Sequence, residues 1–167
     1  GAGGPPLASP GWGGGGDLFH GPGGPGGRGE LGGHSGAGLL EDLPGLLAIT
    51  CPSVNSYQRL QPDSWSGVHR CWGFDNREAP VRVASPYWGN EERTMNVELK
   101  AVDSSCNPHL ALGAALAGGL DGIERKLDPG PPTVINPARL GDGSLPERLP
   151  LELGATLDLL LADTRLG

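Results

Sequence analysis

Apolar residues recur at spacings of three and four in several segments of this chain, which is the periodicity of one face of an α-helix. The first such segment predicts a helix over residues 39–49, with its leucines facing inward. Pro44 lies inside this segment. Because proline lacks a backbone N–H and its ring clashes with the preceding turn, we expect the helix to kink or to start afresh there.

A second segment predicts the best-defined helix of the chain. Asn107 is a suitable cap, and Pro108 suits the first helical position, where no backbone hydrogen bond is lost. The predicted inward stripe of this helix consists of Leu112, Leu116, Leu120, Ile123 and Leu127. A last helix is predicted over residues 151–165, and its predicted inward face consists of Leu153, Leu157, Leu160 and Leu161.

Strands are predicted between these helices, where apolar and polar residues alternate. Residues 68–72 and 79–84 are joined by residues 73–77, whose Gly, Asp and Asn favour a turn, so the pattern predicts a hairpin. Residues 94–102 alternate cleanly and carry Asn96, Glu98 and Lys100 on the polar face. That polar face is therefore a candidate for chemistry.

Composition divides the chain into two parts. More than half of the 31 glycines precede Leu39, and the few apolar residues among them cannot offset the entropy of ordering the backbone. We therefore expect residues 1–38 to be largely irregular and residues 39–167 to form the folded part.

Charge and cysteine content limit the classes of function. The formal net charge of -7 argues against a nucleic-acid or anionic-membrane partner, because phosphate binding depends on clustered Lys and Arg. No apolar run is long enough for a membrane span and the start has no signal-peptide pattern, so a cytoplasmic protein is expected.

The cysteines are odd in number and widely spaced, which fits reduced thiols. His69 and Cys71 share a strand face, but no second pair completes a metal site, so packing is the favoured interpretation.

Several polar motifs follow one another in a fixed order, namely Asn55-Ser56-Tyr57-Gln58-Arg59-Leu60, Asn76-Arg77, Arg82, Glu98, and Asn107-Pro108 leading to Leu120-Asp121-Gly122-Ile123. Their order and spacing resemble the C-terminal catalytic region of the glutamine synthetases, most closely over residues 46–127. The resemblance implies an α+β fold, with a curved antiparallel sheet forming an open half-barrel backed by helices. On this resemblance, residues 1–38 correspond to a loop or a degraded start of the catalytic domain. Residues 39–167 correspond to the C-terminal part of that domain.

The resemblance also implies a reaction. Such ligases use ATP to phosphorylate the γ-carboxylate of glutamate or a related acid, and ammonia or an amine then displaces the phosphate. Negative charge gathers on the phosphoryl oxygens during this transfer, so fixed cations and a divalent metal, Mg²⁺ or Mn²⁺, are needed.

The residues matched to the family's motifs would divide these roles. Glu98 would be a metal ligand, since hard divalent cations prefer carboxylate oxygen. The remaining roles would be substrate binding by Arg59, Arg77 and Lys100, nucleotide binding by Arg77, Arg82, Arg93 and Ser9, and catalysis by Arg77.

The chain departs from the family pattern at three places. Lys100 stands where an arginine usually grips the substrate's α-carboxylate, and lysine supplies the charge without the planar fork. Trp65 stands in the loop where a glutamate normally takes a proton from ammonium, although Asp63 could substitute if the loop bends suitably. Pro5 and Pro6 stand where the family has histidines. The loop pattern is similar to the divergent branch that includes γ-glutamylamine ligases.

Two rival hypotheses stay open at this point. The absent histidines and Trp65 favour a non-catalytic family member kept as a structural or binding protein, and a translated fragment that does not fold is a further alternative. The family's N-terminal domain and earlier catalytic strands are missing from these residues, so this piece alone is expected to be inactive. The full-length parent is expected to be a homo-oligomer that acts on small molecules.

Overall fold

One long helix, three short strands and two further helices follow one another in the computed structural model, which describes residues 29–64, 67–90, 94–141 and 143–166. The elements of this described part are helix α1 (Glu30–Thr50), a 3-10 turn (Ser56–Arg59), strands β1 (Trp72–Phe74), β2 (Val81–Ala84) and β3 (Asn96–Leu99), helix α2 (Pro108–Glu124), a second 3-10 turn (Pro137–Arg139) and helix α3 (Leu153–Ala162). The predicted α+β class is confirmed. Among the described residues, no helix combines the length and the apolar character needed to cross a bilayer.

Helix α1 is longer than the sequence pattern predicts. It begins at Glu30 rather than at residue 39, and it continues through Pro44. Both differences have the same cause, since tertiary packing outweighs the weak helix propensity of glycine and proline. Gly32 and Gly33 are buried in the first turns, and Leu43 is fully buried beside the proline. The division of the chain after residue 38 stays a prediction, although α1 crosses that position, and residues 1–28 lie outside the described part.

Three glycines bring the backbones of α1 and α2 into direct contact. A Cβ atom added at Gly38 would lie 2.1 Å from the carbonyl oxygen of Gly118, and one added at Gly122 would lie 2.2 Å from the carbonyl oxygen of His34. Both distances are far inside van der Waals contact, so only glycine fits at these two positions. The helices therefore meet through bare backbone rather than through interleaved side chains.

This close contact reverses the predicted orientation of α2. Leu112, Leu116 and Leu120, expected inside, are 62%, 57% and 64% exposed. The buried positions of the helix are instead small residues, Ala111, Gly118, Gly119 and Gly122. The prediction was wrong because helical periodicity ranks positions by hydrophobicity, whereas here the closeness of backbone approach decides which face is inward.

Helix α3 only partly follows its predicted pattern. Leu153 packs against a buried cluster that includes Leu43 and Tyr57. Leu157 and Leu161, in contrast, are 42% and 80% exposed. The buried position of this helix is Thr156, whose hydroxyl lies 2.7 Å from the hydroxyl of Tyr57. A buried hydrogen bond between two hydroxyls thus fixes α3, because an unpaired hydroxyl there would be costly.

The sheet is mixed, and the predicted hairpin is wrong. Strand β1 pairs in parallel with β2, while β2 pairs antiparallel with β3. Parallel neighbours normally need a long crossover. Here β1 has only three residues, so the chain has to return only roughly 10 Å before β2 begins. The return is made by residues 75–80, which start with Asp75 in the left-handed region at φ 49°.

The two faces of the sheet have different environments. Trp72, Val81 and Val83 pack with Leu40 of α1 and with Met95 in one buried cluster. Alternation along each strand sends the intervening side chains, including Arg82 and Glu98, to the opposite face. A second cluster lies beneath the C-terminal half of α1 and contains Leu43, Leu47, Cys51, Tyr57, Leu60, Val68, Ala101 and Leu149.

An ionic network joins the C-terminal residues to α1 and α2. The guanidinium of Arg165 lies 2.8 Å from Asp42, and 3.0 Å from both Glu41 and Asp121. The side chain of Asp42 is only 1% exposed, and neither of its oxygens accepts a hydrogen bond from the described residues. Burial raises the pKa of Asp42 to about 6, with Asp163 and two further carboxylates adding to the shift against the attraction of Arg165.

Replacing Gly122 by alanine is expected to destabilise the chain by at least about 2 kcal/mol, because the new methyl group meets backbone of α1 that cannot move aside. Gly113 offers a matched control in the same helix, since a Cβ there meets nothing within 4 Å. Gly113→Ala should stabilise by up to about 1 kcal/mol through helix propensity. Urea unfolding followed by circular dichroism measures both changes, and equal effects of the two variants would contradict the close helix contact.

Asp42→Asn is expected to become more stable than the wild type as pH rises. Because the folded-state pKa of about 6 exceeds the ordinary value of 3.8, folding favours the protonated acid. Its stabilising contribution is complete below the ordinary value and is lost as pH rises through about 6. The gain of the variant over this window should approach about 3 kcal/mol.

Denaturant unfolding at several pH values from acid to neutral tests this expectation. Glu41→Gln is the control, because hydrogen bonding from Arg125 lowers the pKa of Glu41 and its effect should have the opposite sign. A constant difference between Asp42→Asn and the wild type would show that Asp42 does not gain a proton in this range.

Candidate active site

Arg82 and Glu98 form the centre of the polar face of the sheet. They are paired in register across β2 and β3, so both side chains leave the sheet on the side away from α1. Nη2 of Arg82 lies 2.8 Å from Oε1 of Glu98, and the two side chains are 22% and 39% exposed. Such a partly shielded, charge-assisted hydrogen bond holds the guanidinium in one place. Among the described residues, Nε of Arg82 is buried and has no hydrogen-bond acceptor.

Arg77 and Lys100 join this pair at one end of the strands. Arg77 lies in a turn over residues 76–79, closed by a 3.2 Å hydrogen bond from the N–H of Ala79 to the carbonyl oxygen of Asn76. The ammonium of Lys100 donates a hydrogen bond to the carbonyl oxygen of Arg77. The two meet because Arg77 precedes β2 and Lys100 follows β3, and these strands are antiparallel.

The charged groups near Lys100 affect its ionisation. Burial lowers the pKa of Lys100, and the positive charges of Arg82 and Arg77 shift it in the same direction. Glu78 and Glu98 oppose the shift. The structure therefore places the Arg82–Glu98 pair, Lys100 and the backbone of Arg77 at the same end of β2 and β3.

Arg59 is placed by a different element. It ends the first 3-10 turn, which is anchored by the buried Tyr57. Both terminal nitrogens of Arg59 donate to the carbonyl oxygen of Val102, at 3.3 and 3.4 Å, so Arg59 lies beside the segment that follows Lys100. The two other predicted contacts, Arg93 and Ser9, lie outside the described residues.

Asp63 has a structural partner in the loop after Arg59. Its backbone is left-handed, at φ 61°, and its Oδ1 accepts a 2.7 Å hydrogen bond from Nδ2 of Asn136. This bond competes with the proton-accepting role that the sequence left open for Asp63. Trp65 lies outside the described part of the chain.

Glu98 has the right chemistry for a hard divalent cation, but the described residues do not by themselves fit a bound metal. Within residues 29–64, 67–90, 94–141 and 143–166, no three His, Cys, Asp or Glu side chains are placed to hold an ion. Glu98 is also already paired with Arg82. A metal centre would need further ligands from beyond these residues.

Asn76 is the residue that sequence reasoning missed. The sequence predicts only a turn there, but the side chain is buried, with 8% exposure, and its Nδ2 bonds to the carbonyl oxygens of Thr133 and Ile135. The partners are far away along the chain, so local turn chemistry carries no sign of them. The available signal was the position of Asn76 next to Arg77 in the matched motif.

Comparison with known proteins shows which family the sequence resembles. Residues 12–166 match the family described as glutamine synthetase, catalytic domain. The chain is 45% identical over 120 residues to a glutamine synthetase of Archaeoglobus fulgidus, covering 67% of this chain and 24% of that protein. It is 40% identical over 121 residues to the gamma-glutamylpolyamine synthetase GlnA3 of Streptomyces coelicolor, covering 72% of this chain and 26% of that protein. It thus spans about a quarter of the length of these relatives.

Solved structures show the same relationship at the level of the fold. A complex of GmaS with ADP superposes with a TM-score of 0.76 at 34% identity, covering 90% of this chain and 34% of that one. A structure described as a novel glutamine synthase homolog gives a TM-score of 0.70 at 38% identity, covering 89% of this chain and 33% of the other. Motif order, fold and sequence identity all lead to one conclusion: the chain belongs to the glutamine synthetase family and corresponds to part of its catalytic domain.

Proposed function

We propose that the protein containing this chain is an ATP-dependent carboxylate-amine ligase. A γ-carboxylate oxygen of glutamate or a related acid attacks the γ-phosphorus of ATP, and ADP leaves as the acyl phosphate forms. The nitrogen of ammonia or an amine then attacks the acyl carbon and phosphate departs. The new bond is an amide, and the attacking nitrogen loses a proton.

The observation that supports this proposal is the Arg82–Glu98 pair on the polar face of the sheet, with Lys100 and the turn that carries Arg77 beside it. Phosphoryl transfer is accelerated mainly by cations that are already in place when charge develops on the equatorial oxygens. The Glu98 carboxylate fixes the guanidinium of Arg82, so Arg82 pays little conformational entropy on binding phosphate. Arg77 would contact both nucleotide and substrate at the edge of this group.

The identity of the acid and of the amine acceptor is inferred from the places where the substrate-binding residues depart from the family pattern. Lys100 is held by the carbonyl oxygen of Arg77 and lacks the planar fork that grips a carboxylate through two parallel bonds. Looser recognition of the α-carboxylate is the expected result, with Arg59 supplying a second cation for the acid. Similarity to a gamma-glutamylpolyamine synthetase supports an amine larger than ammonia as acceptor.

The remaining contacts, partners and location are proposed for the full-length protein. Arg93 and Ser9 are proposed nucleotide contacts, and Glu98 is a proposed ligand for Mg²⁺ or Mn²⁺ that would act with carboxylates from outside the described residues. A homo-oligomer, small-molecule substrates and a cytoplasmic location are proposed on the same family grounds. No step of the reaction is assigned to the metal here, because the described residues do not build its site.

Arg82→Gln in the full-length protein is expected to lower kcat/KM for acid-dependent phosphate release by about 100-fold to 1,000-fold, since one fixed cation is removed from the transferred phosphoryl group. Arg139→Gln is the matched control, because Arg139 is an exposed arginine of the second 3-10 turn. It should leave the rate unchanged. Phosphate release with ATP, glutamate and a panel of amines is the measurement.

Two results would count against the ligase. A wild-type protein that binds nucleotide but releases no phosphate with any acid and amine would favour the non-catalytic alternative. Equal losses in Arg82→Gln and Arg139→Gln would show that the polar face of the sheet is not where the phosphoryl group is held.

A further inference from the structure

We propose that Asn76 is a positioning residue that holds Arg77 in the active site by tying its turn to residues 133–135. The inference rests on the proposed function, because it assigns to Asn76 an effect on the ligand bound by Arg77. Asn76 itself is buried and would not touch the ligand.

The side chain of Asn76 uses both amide N–H groups and its carbonyl oxygen in hydrogen bonds to two separate segments. Nδ2 donates to the carbonyl oxygens of Thr133, at 2.8 Å, and Ile135, at 3.0 Å. Oδ1 accepts a 3.0 Å bond from the N–H of Glu78, in the turn itself. A single buried amide therefore bridges the turn to a distant segment, and its removal would leave the carbonyl oxygens of Thr133 and Ile135 without this donor.

The segment that receives these bonds is itself fixed to the core. The indole Nε1 of Trp72 donates to the carbonyl oxygens of Pro129 and Gly130, each at 3.1 Å, and the N–H of Thr133 donates to the carbonyl oxygen of Trp72 at 2.8 Å. A Cβ added at Gly73 would lie 2.4 Å from the carbonyl oxygen of Thr133, so the segment runs against the β1 backbone. Because Trp72 is 3% exposed, these bonds tie Pro129, Gly130 and Thr133 to a buried residue of the sheet.

Lys100 contacts the same turn through the carbonyl oxygen of Arg77. The backbone of Arg77 is thus located by Asn76 through the segment next to β1 and by Lys100 through the end of β3. Two anchors on separate elements determine where the guanidinium can reach before any ligand arrives. Productive geometry in such sites has to be held within a fraction of an ångström, and supporting hydrogen bonds supply that precision.

Asn76→Ala in the full-length protein is expected to weaken ADP binding at least tenfold by isothermal titration calorimetry. Asp158→Ala is the control, because Asp158 is an exposed residue of α3, outside the candidate site. It should leave ADP affinity unchanged. Asn76→Ser is the second variant, since serine can still accept from the N–H of Glu78 but cannot span to the carbonyl oxygens of residues 133 and 135.

A double-mutant cycle with Arg77→Ala separates positioning from general destabilisation. If Asn76 acts through Arg77, adding Asn76→Ala or Asn76→Ser to Arg77→Ala should cause no further loss of ADP affinity. Losses that multiply in the double variants, or unchanged affinity in Asn76→Ser, would overturn the inference.

Amide hydrogen exchange distinguishes failure of this inference from failure of the proposed function. The N–H of Ala79, whose bond to the carbonyl oxygen of Asn76 closes the turn, should exchange faster in Asn76→Ser than in Asp158→Ala, whatever ligand the site binds. If Arg77→Ala leaves ADP affinity unchanged while exchange rises as expected, the assignment of Arg77 under the proposed function fails. Unchanged exchange in Asn76→Ser would instead sink the positioning role directly.

Discussion

The contact between the backbones of α1 and α2 is the constraint on which the rest of the architecture depends. Gly38 and Gly122 allow the helix axes to approach until main-chain atoms touch, and no side chain is available there to absorb an error. This contact fixes which face of α1 remains for the sheet. Leu40 then packs on Trp72, Val81 and the neighbouring apolar residues, so the helix pair determines where the sheet lies.

The position of the sheet in turn decides where charged groups can gather. With one face covered by α1, alternation leaves Arg82 and Glu98 on the other face, opposite each other in register. The antiparallel pairing of β2 with β3 adds Arg77 and Lys100 at one end. The grouping of these cations with Glu98 is the product of strand register, since none of the four residues adjoins another in sequence.

Two buried polar side chains, Asn76 and Asp42, differ in how completely their hydrogen-bonding groups are paired. Asn76 is buried with every hydrogen-bonding group satisfied, and so it adds rigidity to the turn beside the candidate site. Asp42 is buried beside Arg165, without a hydrogen bond from the described residues, and its raised pKa reflects that incomplete compensation. Full satisfaction gives a precise local geometry, whereas partial satisfaction gives a stability that depends on pH.

The sequence by itself determined the family, the α+β class, the existence of the three helices and the identity of the charged residues on β2 and β3. These features depend on periodicity and on motif order, which are properties of the chain alone. Tertiary structure decided the inward face of α2, the parallel pairing of β1 with β2, the extension of α1 through its glycines, and the role of Asn76. Each of these depends on atoms that are distant in sequence, because a glycine contact or a buried amide bond exists only once two remote backbones have come together.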